Sequence, residues 1–569
     1  MKDSTGSSSL SSNRREPTRL RISAVSSAVI LLTVCHTANA FQFTTDDPDF
    51  SVRWDNTLKY SNAFRLKEAS PLITSNENLD DGDRNFHRGL ISNRFDILSE
   101  LDASYKSFGG RVSVSAWYDT VYNHSNANNS PQTANAVSVP NNQFVGATRT
   151  LNGRDIQLLD AFVYKKGTIA EMPLTVRLGQ HSVLYGETLF FGSNGIAGAQ
   201  APIDINKLLG VPNTQFKELV LPQPQISMQM QVKSNLSVGA YYQFSWQADR
   251  LPPVGSYFSN VDMLQQGGER ILAGAPLMPG GGPAAFFHTG DQYGRNSGQG
   301  GLQVRWRPQQ WETEFGFYAA QFNAKDPIIY VHPGVGVNPA TGQIGTYQLV
   351  YPNDIKTIGA SFTTSIGDTN FAGELSFRHN MPLVPQGGSV TITPGESADN
   401  GGNARYPVGN TMHVNLSSIT TLPRTSFWQG GLLLAELAYN RRLNITANAQ
   451  ALDPNTTRGA AAVRVVFSPS YYQVLPGLDL NVPIGFGYTP FGRSSVLTGF
   501  NGGSYRGGDL SIGLAGVYLQ QWNLSLNWTH YFGGANGVIG PANAVVQAYT
   551  FGQSYKDRDF IALSVSRSF

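Results

Sequence analysis

Asp80-Asp81-Gly82-Asp83 is the one short run whose residue types suit a cation, because three carboxylates around a glycine offer the hard oxygen ligands that calcium takes. The simpler expectation is a solvated external loop, and no metal, cofactor or catalytic set is assigned. The nine His are scattered, with no His-Glu-x-x-His and no Gly-Lys-Ser/Thr phosphate loop. Gly334 and Gly336 fall in a Pro-rich stretch read as a loop, not as a strand-to-helix junction. Nothing ties a Ser, a His and an Asp to one place, so no enzyme is expected. The charges that do recur in a pattern are Arg53, Asp55, Lys59 and Arg65, then Arg94, Asp96, Glu100 and Asp102, always an even number of residues apart. Charges of both signs at that spacing line one face of a strand, and the residues between them decide what the other face meets.

Those intervening residues are apolar. Val52, Trp54, Leu58, Tyr60 and Phe64 oppose the first charged row, and Phe95, Ile97, Leu101 and Tyr105 oppose the second. The period-two pattern recurs in Leu236, Val238, Ala240, Tyr242, Phe244 and Trp246, in Leu480, Val482, Ile484, Phe486 and Tyr488, and in Trp522, Leu524, Leu526 and Trp528. Successive side chains on a strand point to opposite faces, so each segment is a strand with one apolar and one polar face. A soluble sandwich also alternates. Here, however, the apolar rows often begin or end in Trp or Tyr, as interfacial girdles do, and the polar rows carry full charges. Arg or Lys facing lipid at mid-depth costs roughly 2–4 kcal/mol, so the charged rows must face a wet interior. Of the 569 residues only 14% are charged, 11% are aromatic and 60 are Gly, and no apolar run reaches the length of about 20 residues that a spanning helix needs. An all-β transmembrane barrel is the expected fold class.

Residues 1–40 read as a secretory signal. Arg14, Arg15, Arg19 and Arg21 precede an apolar stretch from Ile22 to Val34, and Ala38-Asn39-Ala40 closes it. Removing it takes five of the 41 basic and two of the 39 acidic residues, leaving a net charge near −1 and no Cys. Nucleic-acid binding therefore has no electrostatic footprint. Residues 41–569 would form the barrel.

Eight short links join alternating segments, at 107–110, 165–172, 233–235, 307–310, 366–370, 421–426, 475–477 and 520–521, with long polar stretches such as 123–153, 248–295 and 379–410 between them. Eight short-turn hairpins plus a first segment at about 50–66 and a last at 559–569 predict 18 antiparallel strands, with short periplasmic turns, long external loops and both termini periplasmic. Two segments are weak: 412–422 alternates poorly, and 218–232 carries Pro222 and Pro224, so 16 strands is the alternative. In the last segment Ile561, Leu563, Val565 and Phe569 share a face, interrupted by Arg567, and a terminal Phe of this kind resembles the strand read by the outer-membrane assembly machinery.

The inward rows are expected to line a pore with Arg53, Asp55, Lys59, Arg65, Arg94, Asp96, Glu100, Asp102, Arg111, Asp119, Arg177, Arg305, Arg307, Glu312, Glu314, Glu374, Arg378 and Glu436. Unpaired charge in a dry core would be prohibitive, so as a set they argue for a passage. The stretch 186–209 differs from the other loops: it groups Leu189, Phe190 and Phe191, and 204–209 suits a short helix. Apolar residues exposed at the cell surface are a liability. The segment is therefore expected to fold into the barrel and narrow it, with Glu187, Phe190, Phe191, Asp204 and Lys207 at the constriction, a lid over the mouth being the alternative.

Several separate motifs are familiar together: Val52-Arg53-Trp54-Asp55-Asn56-Thr57-Leu58-Lys59-Tyr60, Asp80-Asp81-Gly82-Asp83-Arg84-Asn85-Phe86, Ser92-Asn93-Arg94-Phe95-Asp96-Ile97-Leu98-Ser99-Glu100, Gly186-Glu187-Thr188-Leu189-Phe190-Phe191-Gly192, Arg250-Leu251-Pro252-Pro253-Val254-Gly255-Ser256-Tyr257-Phe258 and Asp557-Arg558-Asp559-Phe560. From about Phe41 to the C-terminus the chain resembles the proteobacterial outer-membrane family catalogued as domain of unknown function thirteen-oh-two. The resemblance implies an outer-membrane β-barrel of a Gram-negative bacterium, often encoded near an inner-membrane exporter and a periplasmic companion, and the handling of hydrophobic or aromatic compounds. It carries no catalytic residues. The expected function is a porin-like channel for small compounds, in contact with outer-membrane lipid and lipopolysaccharide. The alternatives are the outer-membrane part of an export system for lipids or hydrophobic compounds, or a plugged structural surface barrel.

Overall fold

The protein is described by a computed structural model covering residues 41–43, 47–130, 132–264, 266–541 and 547–569. The predicted signal at 1–40 lies outside the described residues. Eighteen antiparallel strands form the barrel. In chain order they are β1 (Phe50–Arg65), β2 (Gly89–Tyr105), β3 (Phe108–Asp119), β4 (Arg154–Ile169), β5 (Met172–His181) and β6 (Gln223–Lys233). Next come β7 (Leu236–Gln243), β8 (Gln299–Trp306), β9 (Glu314–Phe322), β10 (Ile355–Ile366), β11 (Thr369–Pro382) and β12 (Val408–Thr421). Last are β13 (Gly430–Ala447), β14 (Gly459–Leu475), β15 (Leu478–Asn481 continued by Ile484–Phe491), β16 (Gly508–Tyr518), β17 (Trp522–Phe532) and β18 (Phe560–Ser568). Each pairs with its neighbour in sequence, and β18 returns to β1 from Thr57↔Ser568 to Arg65↔Phe560. Closure removes both open edges, which lipid would leave unsatisfied.

The sidedness follows the alternation. On β1, Trp54, Tyr60 and Phe64 are exposed outward while Lys59, Ser61 and Arg65 are buried inward. All eight predicted short links join hairpins. Pro224 sits next to the start of β6, where a missing ladder donor is tolerated. Arg567, on the outer face of β18, lies over the Trp522 ring at 5.0 Å and donates to Gln521 Oε1, so its charge ends at the short-turn rim.

One expectation needs correction. Gly334 and Gly336 are not in a loop: they lie in the strand Ile328–Asn338, which pairs with Gln343–Val350. That hairpin belongs to a five-stranded sheet built from the long-loop side, with Ser389–Thr391 on one edge and Ala284–His288 and Arg270–Gly274 on the other. Its apolar face packs Ile329, Val331, Tyr347 and Leu349 against Leu79 and Met263 of other loops. Among the described residues no helix is long and apolar enough to cross a membrane.

Candidate functional site

The interior holds three zones, stacked from the long-loop end to the short-turn end. At the long-loop end, Arg65 of β1 and Arg558, just before β18, converge on Asp83. Arg65 Nη2 donates to Oδ1 at 2.8 Å, and Arg558 donates to Oδ1 from Nε at 3.1 Å and to Oδ2 from Nη2 at 2.9 Å. All three side chains are fully buried. Other guanidinium protons go to the carbonyls of Asp83, Phe86 and Ser259 at 3.0, 2.9 and 2.6 Å. Around them Phe86, Tyr122, Phe144, Tyr257, Phe258, Tyr531 and Tyr555 form a closed aromatic cluster. Asn85 Nδ2 donates to Gly255 O at 2.8 Å, and Phe258 meets the Phe560 ring at 5.5 Å. Three of the separate sequence motifs, around Asp83, Tyr257 and Arg558, thus meet in one cap.

The middle zone is the insertion 182–222 between β5 and β6, which crosses the lumen. Its first half is held on the inner wall of β11–β13. Glu436 Oε2 accepts the backbone N–H groups of Leu189, Phe190 and Phe191 at 3.2, 2.5 and 3.1 Å, while its Oε1 accepts from Asn415 at 2.8 Å. Glu374 accepts from the N–H of Glu187 and, at 2.9 Å, from that of Ile196. Arg378 donates to the carbonyls of Ser193 and Gly195, both at 2.8 Å. Gly186, at φ +105°, sits so close that an added Cβ would lie 2.3 Å from Glu374 Oε1. Only glycine lets the carboxylate reach the backbone there.

The second half is held on β1–β3. The short helix Ile205–Gly210 is capped by Asp204, which accepts from Lys207 N at 2.8 Å and pairs with Arg250 at 2.6 Å. Lys207 lies over the Trp117 ring of β3 at 4.6 Å, and Lys217 pairs with Glu100 of β2. In the closed order β2 and β12 are eight strands apart one way and ten the other. The insertion therefore runs between nearly opposite walls and divides the lumen.

At the short-turn end the charges are partly exposed. Arg53 reaches Asp55 at 2.8 Å and Asp102 at 3.5 Å, Arg111 reaches Asp102 at 2.7 Å, and Arg305 pairs with Glu187 at 3.0 Å and with Glu314. Arg177 faces inward over the Phe162 ring.

The residues read from the sequence as one hydrated row therefore separate. Arg53, Asp55, Asp102, Arg111, Arg177, Arg305 and Glu314 keep contact with solvent. Lys59, Arg65, Arg94, Asp96, Glu100, Asp119, Glu374, Arg378 and Glu436 are buried under the cap or the insertion and bear on protein instead of an open pore. Arg307 and Glu312 are not on the wall at all: both are exposed in the turn between β8 and β9. The alternation places them inward only if the strands continue, and the chain leaves the sheet first.

Sequence reasoning missed an apolar strip. Counting by twos from Glu436, Leu434 and Leu432 face inward, beside Ile419 of β12 and Val466 of β14. Leu432 is 44% exposed. The signal was present as the poor alternation of 412–422 and the Leu432-Leu433-Leu434 triplet, which put apolar residues on both faces. Phe191 of the insertion packs on Phe500 at 5.5 Å and on Ala438, Ala460 and Ala462.

The family model described as Protein of unknown function (DUF1302) matches residues 21–569. The chain belongs to that family. No curated protein sequence matches this member. Among solved structures it is similar to Acinetobacter baumannii OccAB3 (12% identity, 91% of this chain and 99% of that one, TM-score 0.39). It is also similar to Pseudomonas aeruginosa OpdK with vanillate (11% identity, 91% and 98%, TM-score 0.38) and to the outer membrane channel DcaP of Acinetobacter baumannii (9% identity, 93% and 99%, TM-score 0.36).

Proposed function

We propose that this family member is an outer-membrane channel for small compounds in a Gram-negative bacterium, with its short turns in the periplasm and its capped end outside. The observation that carries the reading is the wall itself: exposed Trp, Tyr, Phe and Leu outward, ion pairs inward, and a closed ladder. Such a cylinder is stable only with acyl chains around it and water within. The insertion 182–222 is the narrowing element, and Glu187, Phe190 and Phe191 bound the passage. The inward strip of Ile419, Leu432, Leu434 and Val466 beside the Glu436 anchor supports solutes with an apolar or aromatic part, because it offers such a group a partner inside a polar tube. Outer-membrane lipid, lipopolysaccharide and the assembly machinery acting on the Phe569 end are the partners this reading requires.

Planar-bilayer recording of the full chain tests it. Steady conductance that changes when Phe190 and Phe191 are both replaced by Ala is the expected result. A silent barrel, or one indifferent to that change, favours the plugged surface protein. Uptake in a deletion strain, screened across aromatic and fatty compounds, then identifies the solute. Impaired export with unimpaired uptake favours the exporter reading, with its inner-membrane and periplasmic partners.

A further inference from the structure

We propose that the cap binds one calcium ion between Asp80 and Asp81 of the β1–β2 loop and Asp262 of the β7–β8 loop. Each of these carboxylates places an oxygen within 4.8 Å of the other two, and all three are buried. Asp83, the third acid of the sequence run, takes no part, being held by Arg65 and Arg558. Asp262 takes its place, and its Oδ2 accepts the N–H of Asp81, 181 residues away in sequence, at 3.1 Å. Gly82 makes the approach possible: a Cβ there would lie 2.0 Å from Ser259 O.

The charges do not balance within the protein. Arg84 pairs with Asp80. Arg270, the other nearby cation, spends its donors on the carbonyls of Thr133 and Ala134 at 3.0 and 3.2 Å. Glu77 adds to the negative field at Asp80.

Unsatisfied oxygens point to a ligand independently of the charge. Asp80 Oδ1 and Asp262 Oδ1 are buried without a donor, and so is the amide oxygen of Asn85, which is 7% exposed. Asn85 and Asp81, with Asn128, Thr133 and Asn135, line a cavity of about 10 Å³ that Asp80 and Asp262 do not line, room for one water beside the three carboxylates. Asp81 takes its donors from Asn128, Thr133 and Asn135, but buried oxygens seldom go without a partner, and a cation would supply one to the free oxygens of Asp80 and Asp262. Carboxylate and amide oxygens without His or Cys select a hard cation. Ligands drawn from separate loops suit the irregular shell of calcium better than the strict octahedron of magnesium. Bound there, the ion joins the β1–β2 loop to the β7–β8 loop, and through Asn128, Thr133 and Asn135 on Asp81 it reaches the β3–β4 loop as well.

The test uses the full chain, folded in detergent, stripped with chelator and dialysed against radioactive calcium at free concentrations up to the order of 1 mM, where extracellular modules bind. One ion per chain is expected, with a thermal midpoint several degrees above the stripped protein and no such rise with magnesium. Asp262→Asn should weaken binding at least about tenfold while leaving the barrel's heat-modifiable gel shift intact. If that variant does not fold, Asp80→Asn is read in its place, and the wild-type stoichiometry decides alone if neither folds. No retained calcium, equal binding by Asp262→Asn, or stabilisation by acid but not by calcium would overturn the site and assign the carboxylates to protons.

Discussion

Arg65 and Arg53 lie on the same inner face of β1, at opposite ends. Arg65 is sealed against Asp83 with a side-chain exposure of 0%, whereas Arg53 stands 52% exposed between Asp55 and Asp102. Residue type, strand and alternation are the same. What differs is that loops from three places in the chain close over one and none closes over the other. A buried pair carries the desolvation of both charges and cannot lose a partner cheaply, while an exposed pair exchanges its partner for water at little cost. The capped end of the barrel is therefore a structural element made of ions, and the short-turn end is a hydrated lining.

The largest effect that would break this comparison is at Asp83. Asp83→Asn strands Arg65 and Arg558 together and should destabilise the protein by roughly 3–5 kcal/mol, read as a lowered thermal midpoint in detergent. A loss below about 1 kcal/mol would mean that water reaches the cap and that the two ends are alike. Next is Glu436→Gln. Three backbone N–H groups lose their carboxylate, a cost of about 1–3 kcal/mol, and the first half of the insertion should detach. The checking measurement is single-channel conductance, which should rise and become noisy while the barrel persists.

A smaller effect is the pH response of the cap. Asp80 ionises near 7 when folded, against the ordinary carboxylate range when unfolded. Between those values the folded protein holds the extra proton, so stability falls as pH rises from about 4 to about 7 and is level above. In chelator the thermal midpoint at pH 5 should exceed that at pH 7.5, and the reverse order would show the carboxylate already compensated. The smallest effect is at Arg53: Arg53→Gln should move stability by less than about 1 kcal/mol yet shift the reversal potential in a salt gradient toward cations. An unchanged reversal potential would remove Arg53 from the conducting path.

Much of the wall was legible because its signals are local. Strand number, turns and sidedness each follow from a few consecutive residues, as in β17, where Trp522, Leu524 and Leu526 alternate with Asn523, Ser525 and Asn527. The weak segments were weak for physical reasons: Pro222 and Pro224 flank the start of β6, and Ile419 faces inward from β12. The outer five-stranded sheet escaped notice because three of its strands are short and its strands are separated in sequence by barrel strands. Asp80-Asp81-Gly82-Asp83 shows the limit most clearly. Adjacent in sequence, its acids divide between an arginine clamp and a cluster completed by Asp262.

The sequence by itself determined which faces meet lipid, because a strand has period two whatever its surroundings and a charge in hydrocarbon is too costly to misplace. Only the tertiary structure decided which of the inward charges stay wet. That depends on where the insertion and the loops come to rest, and their partners (Glu436 for the Leu189–Phe191 backbone, Asp83 for two arginines) are hundreds of residues away or drawn from both ends of the chain. Burial, not residue type, sets the energy of each of those ions, and burial is a property of the folded whole.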